Sequence, residues 1–299
     1  MLRLIKYNLR LYIRNKFFMI GAGLQLFLIW YDLHYEYGFE ADDSKNIMLV
    51  GIPITCLVVL CIISSIYSSG GIRNQTVIGN TRAKIFFSHI LVSALVSAVL
   101  FVIIGIPVYY RHAQLEELFT ALIILMAYVF VAVISACAAL CFLHFFKALG
   151  AVLSVCALLI MITYPVQESL LEPKYEYKYT IDYELAKTVG LDEAETVTRK
   201  DNPLYVGDTA RLFLKALAYI DPYSQIRYID KICSFQAASK RVSVLDYDEV
   251  EEQLPEGWYD GDTMHEIYNE YWCFPLITAG FAALISIACC PFFCRKDLR

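Results

Sequence analysis

Six stretches of this chain contain no Asp, Glu, Lys or Arg: residues 17–31, 46–72, 85–110, 118–146, 148–167 and 271–294. Each holds about 15–25 strongly apolar residues, and a helix needs roughly 20 to cross the hydrocarbon core of a bilayer. Backbone groups in lipid must be hydrogen-bonded internally, so such runs are read as helices. A water-soluble domain is about 45–50% apolar, whereas this chain is 58% hydrophobic. The reading is an all-α polytopic membrane protein with six transmembrane helices, of which 17–31 is the shortest.

The connecting segments then set an orientation. Arg3, Lys6, Arg10, Arg14 and Lys16 precede the first run, Arg73, Arg82 and Lys84 follow the second, and Lys147 lies between the fourth and fifth. The tail "CRKDLR" adds Arg295, Lys296 and Arg299. The alternate loops are acidic: "DLHYEYGFEADDSKN" (32–46) has five acids and one Lys, and "RHAQLEE" (111–117) has two acids and one Arg. Lys and Arg near a span favour the cytoplasmic side. Six spans put all four basic regions on that side, so both termini are expected inside a plasma membrane.

Residues 1–16 do not read as a cleaved signal, because the charged region is long and the apolar run ends in acids. Leu2, Ile5, Leu9 and Ile13 recur at three and four residues, one apolar stripe of a helix. Arg3, Lys6, Arg10 and Arg14 repeat that spacing one position on, about 100° around the axis. This is an amphipathic helix expected to lie in the headgroup layer of the bilayer.

The loop at 69–84 differs from a plain positive flank. In "YSSGGIRNQTVIGNTRAKIFFS" (67–88), Gly70 and Gly71 interrupt the second run. "IRNQTVI" can form two turns, and Gly79 suits the left-handed residue that closes a helix. Asn80 or Thr81 can cap the next helix. A short cytoplasmic helix between two spans is expected. The turn between the fourth and fifth spans is placed at "HFFK" (144–147), which predicts a close antiparallel hairpin.

Residues 168–270 carry 22 acids and 11 bases, a net charge of −11. "KYEYKYTIDYE" alternates, with Tyr175, Tyr177, Tyr179, Ile181 and Tyr183 on one strand face. "DTARLFLKALAYIDP" reads as a helix from Asp208 to Asp221, and "RVSVLDY" (241–247) as a second strand. A small extracellular α+β domain between the fifth and sixth spans is expected, too aromatic to be disordered.

Catalytic motifs are missing. There is no GxxxxGK[ST] phosphate loop, no GxSxG elbow and no HExxH, since His265–Glu266 lacks a second histidine. His34, His89, His112, His144 and His265 are too scattered for a metal site. Cys56, Cys61, Cys137, Cys141, Cys156, Cys289 and Cys290 lie inside expected spans, where they act as small apolar residues, and Cys294 lies at the cytoplasmic edge. Only Cys233 and Cys273 sit where a disulfide would be stable. No charge interrupts any span, which disfavours an ion-coupled carrier. The chain is expected to be no enzyme, with no cofactor, no metal and no nucleic-acid partner.

The basic N-terminal helix, "GIRNQTVIGNTRAKIFFS" after the second span, and "DNPLYVGDTARLFLKAL...DPYSQ" (201–225) before the sixth resemble permease subunits of type-2 ABC exporters. The similarity is to the Gram-positive bacterial kind with a large outer loop between spans five and six. Its motif, "IRN...G.[ST]R..I[FY]", is matched by Ile72, Arg73, Asn74, Gly79, Thr81, Arg82, Ile85 and Phe86. The resemblance implies that this loop is the coupling helix that docks on a cytoplasmic ABC ATPase subunit, with Ile78 filling an apolar notch. It also implies a second permease subunit, either another copy or a sibling, around a path for a peptide, lipid-like or drug-like substrate. The organisation expected is 1–16 interfacial helix, 17–167 spans one to five, 168–270 outer domain, 271–294 sixth span and 295–299 tail. The rival class is a non-transporting sensor whose outer domain binds a ligand and whose basic loop signals to a cytoplasmic partner.

Overall fold

A computed structural model describes residues 1–35, 42–112, 115–171, 175–181, 195–201 and 273–295, with isolated positions between 203 and 225. The elements are α1 (Leu2–Ile13), α2 (Lys16–Tyr35), α3 (Asp42–Ser68), α4 (Gly71–Val77), α5 (Arg82–His112), α6 (Leu115–Phe142), α7 (Phe145–Leu171), strands β1 (Tyr175–Ile181) and β2 (Glu195–Asp201), and α8 (Cys273–Arg295). The described chain is thus nearly all helical. Four helical stretches are long and apolar enough to cross a membrane: Leu49–Ser68, Arg82–Ile106, Ala121–Phe142 and Cys273–Arg295. Two shorter apolar stretches, Lys16–Tyr31 and Phe145–Leu159, belong to α2 and α7.

The chain divides into two compact units. The first holds Met1–Ile160, Ile220–Ile226 and Cys273–Arg299. Its centre is α6, packed against α3, α5 and α8. The cause is side-chain size. Ala132, Ala136, Cys137, Ala138 and Ala139 are buried along α6, and small residues let helix backbones approach closely where lipid gives no hydrophobic drive. Hydrogen bonds between neighbouring helices add to this packing: Gln25 Nε2 donates to Thr55 Oγ1 at 3.3 Å, and Ser135 Oγ, which also donates to Val131 O within α6, contacts Cys56 Sγ of α3 at 3.2 Å. Such bonds contribute about 0.6 kcal/mol each in membrane proteins.

Cross-helix contacts define one end of this unit. Phe86 of α5 meets Phe293 of α8 at 5.6 Å between ring centroids. Cys141 of α6 lies 3.7 Å from the Cys289 carbonyl of α8. The start of α5, the end of α6 and the end of α8 therefore meet. At the opposite end, Tyr128 of α6 packs edge-on against Phe101 of α5 and close over Gly51 of α3.

One expectation needs correction. The turn after α6 falls at Leu143–His144, with Leu143 at φ +58°, and Phe145 already begins α7. The predicted hairpin does not form among the described residues, because α7 does not lie along α6. Only Ala148 and Val152 of its first turns are buried, and Leu153, Leu158 and Met161 stay exposed. α1 has a third face, one that the sequence reading did not separate. The side it turns to the protein is Leu4, Asn8 and Tyr12, all buried, while Leu2 is 82% and Ile13 46% exposed. The apolar stripe read from the sequence borders this face: its Ile5 and Leu9 are half-buried against the core.

The second unit comprises Met161–Tyr219 and Arg227–Trp272. In it β1 pairs antiparallel with β2, Tyr175 opposite Asp201 and Ile181 opposite Glu195. β1 is the tyrosine strand expected from the alternation, whereas its partner "ETVTRKD" was not anticipated. Ala210, Phe213 and Leu214 are helical, in keeping with part of the 208–221 helix. The 241–247 strand and Cys233 lie outside the described residues. Cys273 is a free thiol.

Candidate functional site

The segment joining α3 to α5 is shaped by two left-handed glycines, Gly70 at φ +75° and Gly79 at φ +93°. Gly70 ends α3 and redirects the chain, and its carbonyl accepts from Asn74 N at 2.9 Å to start α4. Gly71 has its own constraint: a Cβ there would meet the Ile66 carbonyl at 3.0 Å. At the far end Gly79 N bonds Thr76 O at 3.0 Å and Asn80 N bonds Gln75 O at 3.3 Å. This pair is the Schellman closure, which requires the left-handed residue that Gly79 provides. The Asn80 side chain donates to the same Gln75 carbonyl at 3.2 Å. Thr81 Oγ1 then accepts from Lys84 N at 3.4 Å at the head of α5. The short helix is therefore defined at both ends by local backbone chemistry.

One side of α4 is anchored. Ile72 is fully buried in the core, and Gln75 is 2% exposed. Gln75 Nε2 donates to Asn8 Oδ1 at 2.7 Å, Asn8 Nδ2 donates to Ser88 Oγ at 2.8 Å, and Ser88 Oγ donates to Ile85 O at 2.7 Å. These bonds tie α4 to α1 and α1 to α5. One turn along α1, the Tyr12 hydroxyl contacts His89 Nδ1 at 3.1 Å and Ser93 Oγ at 3.3 Å. Burial pushes the Tyr12 hydroxyl above its usual range, with the Ser93 bond opposing. Gln75 Oε1 is buried without a partner.

The other side of α4 is open. Val77 and Ile78 are 78% and 79% exposed, and Arg73, Asn74, Gly79, Thr81 and Lys84 are exposed around them. The seven residues singled out from the sequence therefore divide. Arg73, Asn74, Ile78, Gly79 and Thr81 lie on the open side. Ile72 is core, placed there by its three-residue spacing from Gln75. Arg82 is half-buried, and its Nη1 donates to the Cys294 carbonyl at 2.8 Å, at the last turn of α8. Arg82 thus has an acceptor within the chain.

Several basic residues stand at the same end of the unit: Arg73 of α4, Arg82 and Lys84 in the first turn of α5, Lys147 in the first turn of α7 and Arg295 at the end of α8. α1 is joined to this end through Asn8 and Gln75. Among the described residues no group of three or more His, Cys, Asp or Glu is arranged to hold a metal. The chemistry available is docking through a basic rim around an apolar tip.

Sequence reasoning missed Asn8, Gln75 and Ser88. The available signal was Asn8 between Leu4 and Tyr12 at four-residue spacing, a polar residue on a face otherwise suited to packing. No protein-family model matches the chain, and no curated protein or solved structure matches it.

Proposed function

We propose that the chain is the membrane-spanning permease subunit of an ATP-driven exporter of the type-2 ABC kind. In this reading α2, α3, α5, α6, α7 and α8 are the six spans, α1 lies at the interface, both termini are cytoplasmic, and residues 168–270 are extracellular. The observation that carries it is the two-sidedness of α4. Ile72 and Gln75 fix the helix to the core, while Val77 and Ile78 project with Arg73 beside them. Two adjacent aliphatic side chains exposed at a polar turn, with basic residues around them, suit docking on a partner surface. A cytoplasmic ATPase that closes on ATP would push this tip. The push would pass to α1 and α5 through Asn8 and Ser88. The uncovered face of α7, with Leu153, Leu158 and Met161, suits pairing with a second permease subunit.

The experiment is purification of the tagged full-length chain from its native membrane, with an Ile78→Asp variant alongside. A P-loop ATPase that accompanies the wild-type chain and is lost with Ile78→Asp supports the reading. A sensor histidine kinase, or no partner, in place of the ATPase favours the signalling alternative.

A further inference from the structure

Helix α1 has three sectors, each with different chemistry. Leu4, Asn8 and Tyr12 face the protein and are buried. Leu2, Ile5, Leu9 and Ile13 lie about 100° around the axis, and Arg3, Lys6, Arg10 and Arg14 about 100° further in the same sense. The basic row is therefore roughly opposite the protein-facing row, with the apolar stripe between them. Arg3, Lys6, Arg10 and Arg14 are all exposed, α1 contains no acid, and Arg10 stands in its last turn. Only Arg14 and Asn15 separate α1 from the apolar helix α2. Ile5 and Leu9 are half-buried at the edge of the core, whereas Leu2 and Ile13 are exposed. A helix so attached, with the exposed part of its stripe turned into the bilayer, directs its basic row sideways over the surrounding headgroups. It does not direct that row at a partner approaching from water.

We infer that α1 binds anionic lipid headgroups through Arg3, Lys6, Arg10 and Arg14, and that this attachment is relayed to α4 by the Gln75–Asn8–Ser88 bonds. Basic residues at such a surface attract anionic lipids, about fivefold in affinity for each. The relay is short: one side chain, Asn8, accepts from α4 and donates to α5. Lipid that holds α1 down therefore holds α4 in the position set by Gln75. The exporter reading is not needed for this inference, and no ATPase enters its test.

The test is hydrogen exchange of the α4 amides in the purified full-length chain, in nanodiscs of phosphatidylcholine alone or mixed equally with phosphatidylglycerol. The expected result is exchange slowed by phosphatidylglycerol at least about fivefold, the equivalent of one basic contact. The slowing should vanish in the variant with Arg3, Lys6, Arg10 and Arg14 all changed to Gln. It should also vanish in the paired variant Asn8→Leu with Gln75→Leu, which removes both ends of the bond without leaving one unpaired. That pair should still bind anionic nanodiscs through α1. No lipid dependence in the wild type, or the same dependence in the four-Gln variant, overturns the lipid site. Unchanged slowing in the paired Leu variant overturns the relay.

Discussion

Arg82 and Cys294 are 212 residues apart in sequence, yet the Arg82 guanidinium donates to the Cys294 carbonyl at 2.8 Å. The bond joins the first turn of α5 to the last turn of α8. Helix ends leave carbonyls without partners, and a cation is favoured there by the helix dipole. Arg82 supplies both the donor and the charge.

Arg82 and Arg73, alike in the sequence, should therefore behave differently on substitution. Arg82→Gln removes a charge-assisted bond at a half-buried site and should lower stability by about 1–3 kcal/mol. Arg73→Gln alters an exposed residue and should stay within about 0.5 kcal/mol. Thermal unfolding of the two variants in one detergent makes the comparison. Equal losses would mean that Arg82 is not a structural tie.

Gly79 allows a separation of space from backbone strain. Nothing lies within 4 Å of a Cβ built at this position, but φ is +93°. Asn tolerates the left-handed region and a β-branched residue does not. Gly79→Asn should keep α4 as it is. Gly79→Val should undo the Schellman closure and raise amide exchange at Gly79 and Asn80. Equal tolerance of the two substitutions would contradict a left-handed residue at the end of α4.

The contrast also shows what was legible in the sequence. The apolar runs stood out because hydrocarbon thickness dictates their length, and Gly79 because few residues accept its conformation. The bond of Arg82 was not legible because a charge at a helix start does not name its acceptor, which in this fold lies on the last helix. The stripe on α1 was real, but periodicity cannot distinguish a face that meets lipid from one that meets protein. Asn8 and Tyr12 belong to the latter because they find partners in α4 and α5. The end of α6 was placed late because Leu143 adopts a left-handed φ that nothing about leucine favours.

Buried Gln225 bonds Thr278 of α8, with Gln225 Nε2 3.0 Å from Thr278 Oγ1. Gln225→Ala would leave that hydroxyl unpaired and should cost about 1–3 kcal/mol. Thr278→Val in the same background removes the orphan and should recover part of the loss. Additive losses in the double variant would rule out this pairing as the cause.

Orientation follows from the basic end. Ile78→Cys should be shielded from an impermeant thiol reagent in intact cells, and Thr198→Cys should react, with each site read by peptide mass spectrometry. Labelling at position 78 in intact cells would reverse the assignment.

The most direct measurement of the central claim is ATPase capture by the open side of α4, at matched membrane abundance of each variant. Ile78→Asp and Val77→Asp should each release the ATPase, Arg73→Glu should weaken its hold, and Gly79→Asn should retain it. Truncating an interfacial charge contact costs about 2–5 kcal/mol, enough to lose the complex on a column. Retention of the ATPase by Ile78→Asp and Val77→Asp together, or its absence from the wild-type chain, would contradict the claim.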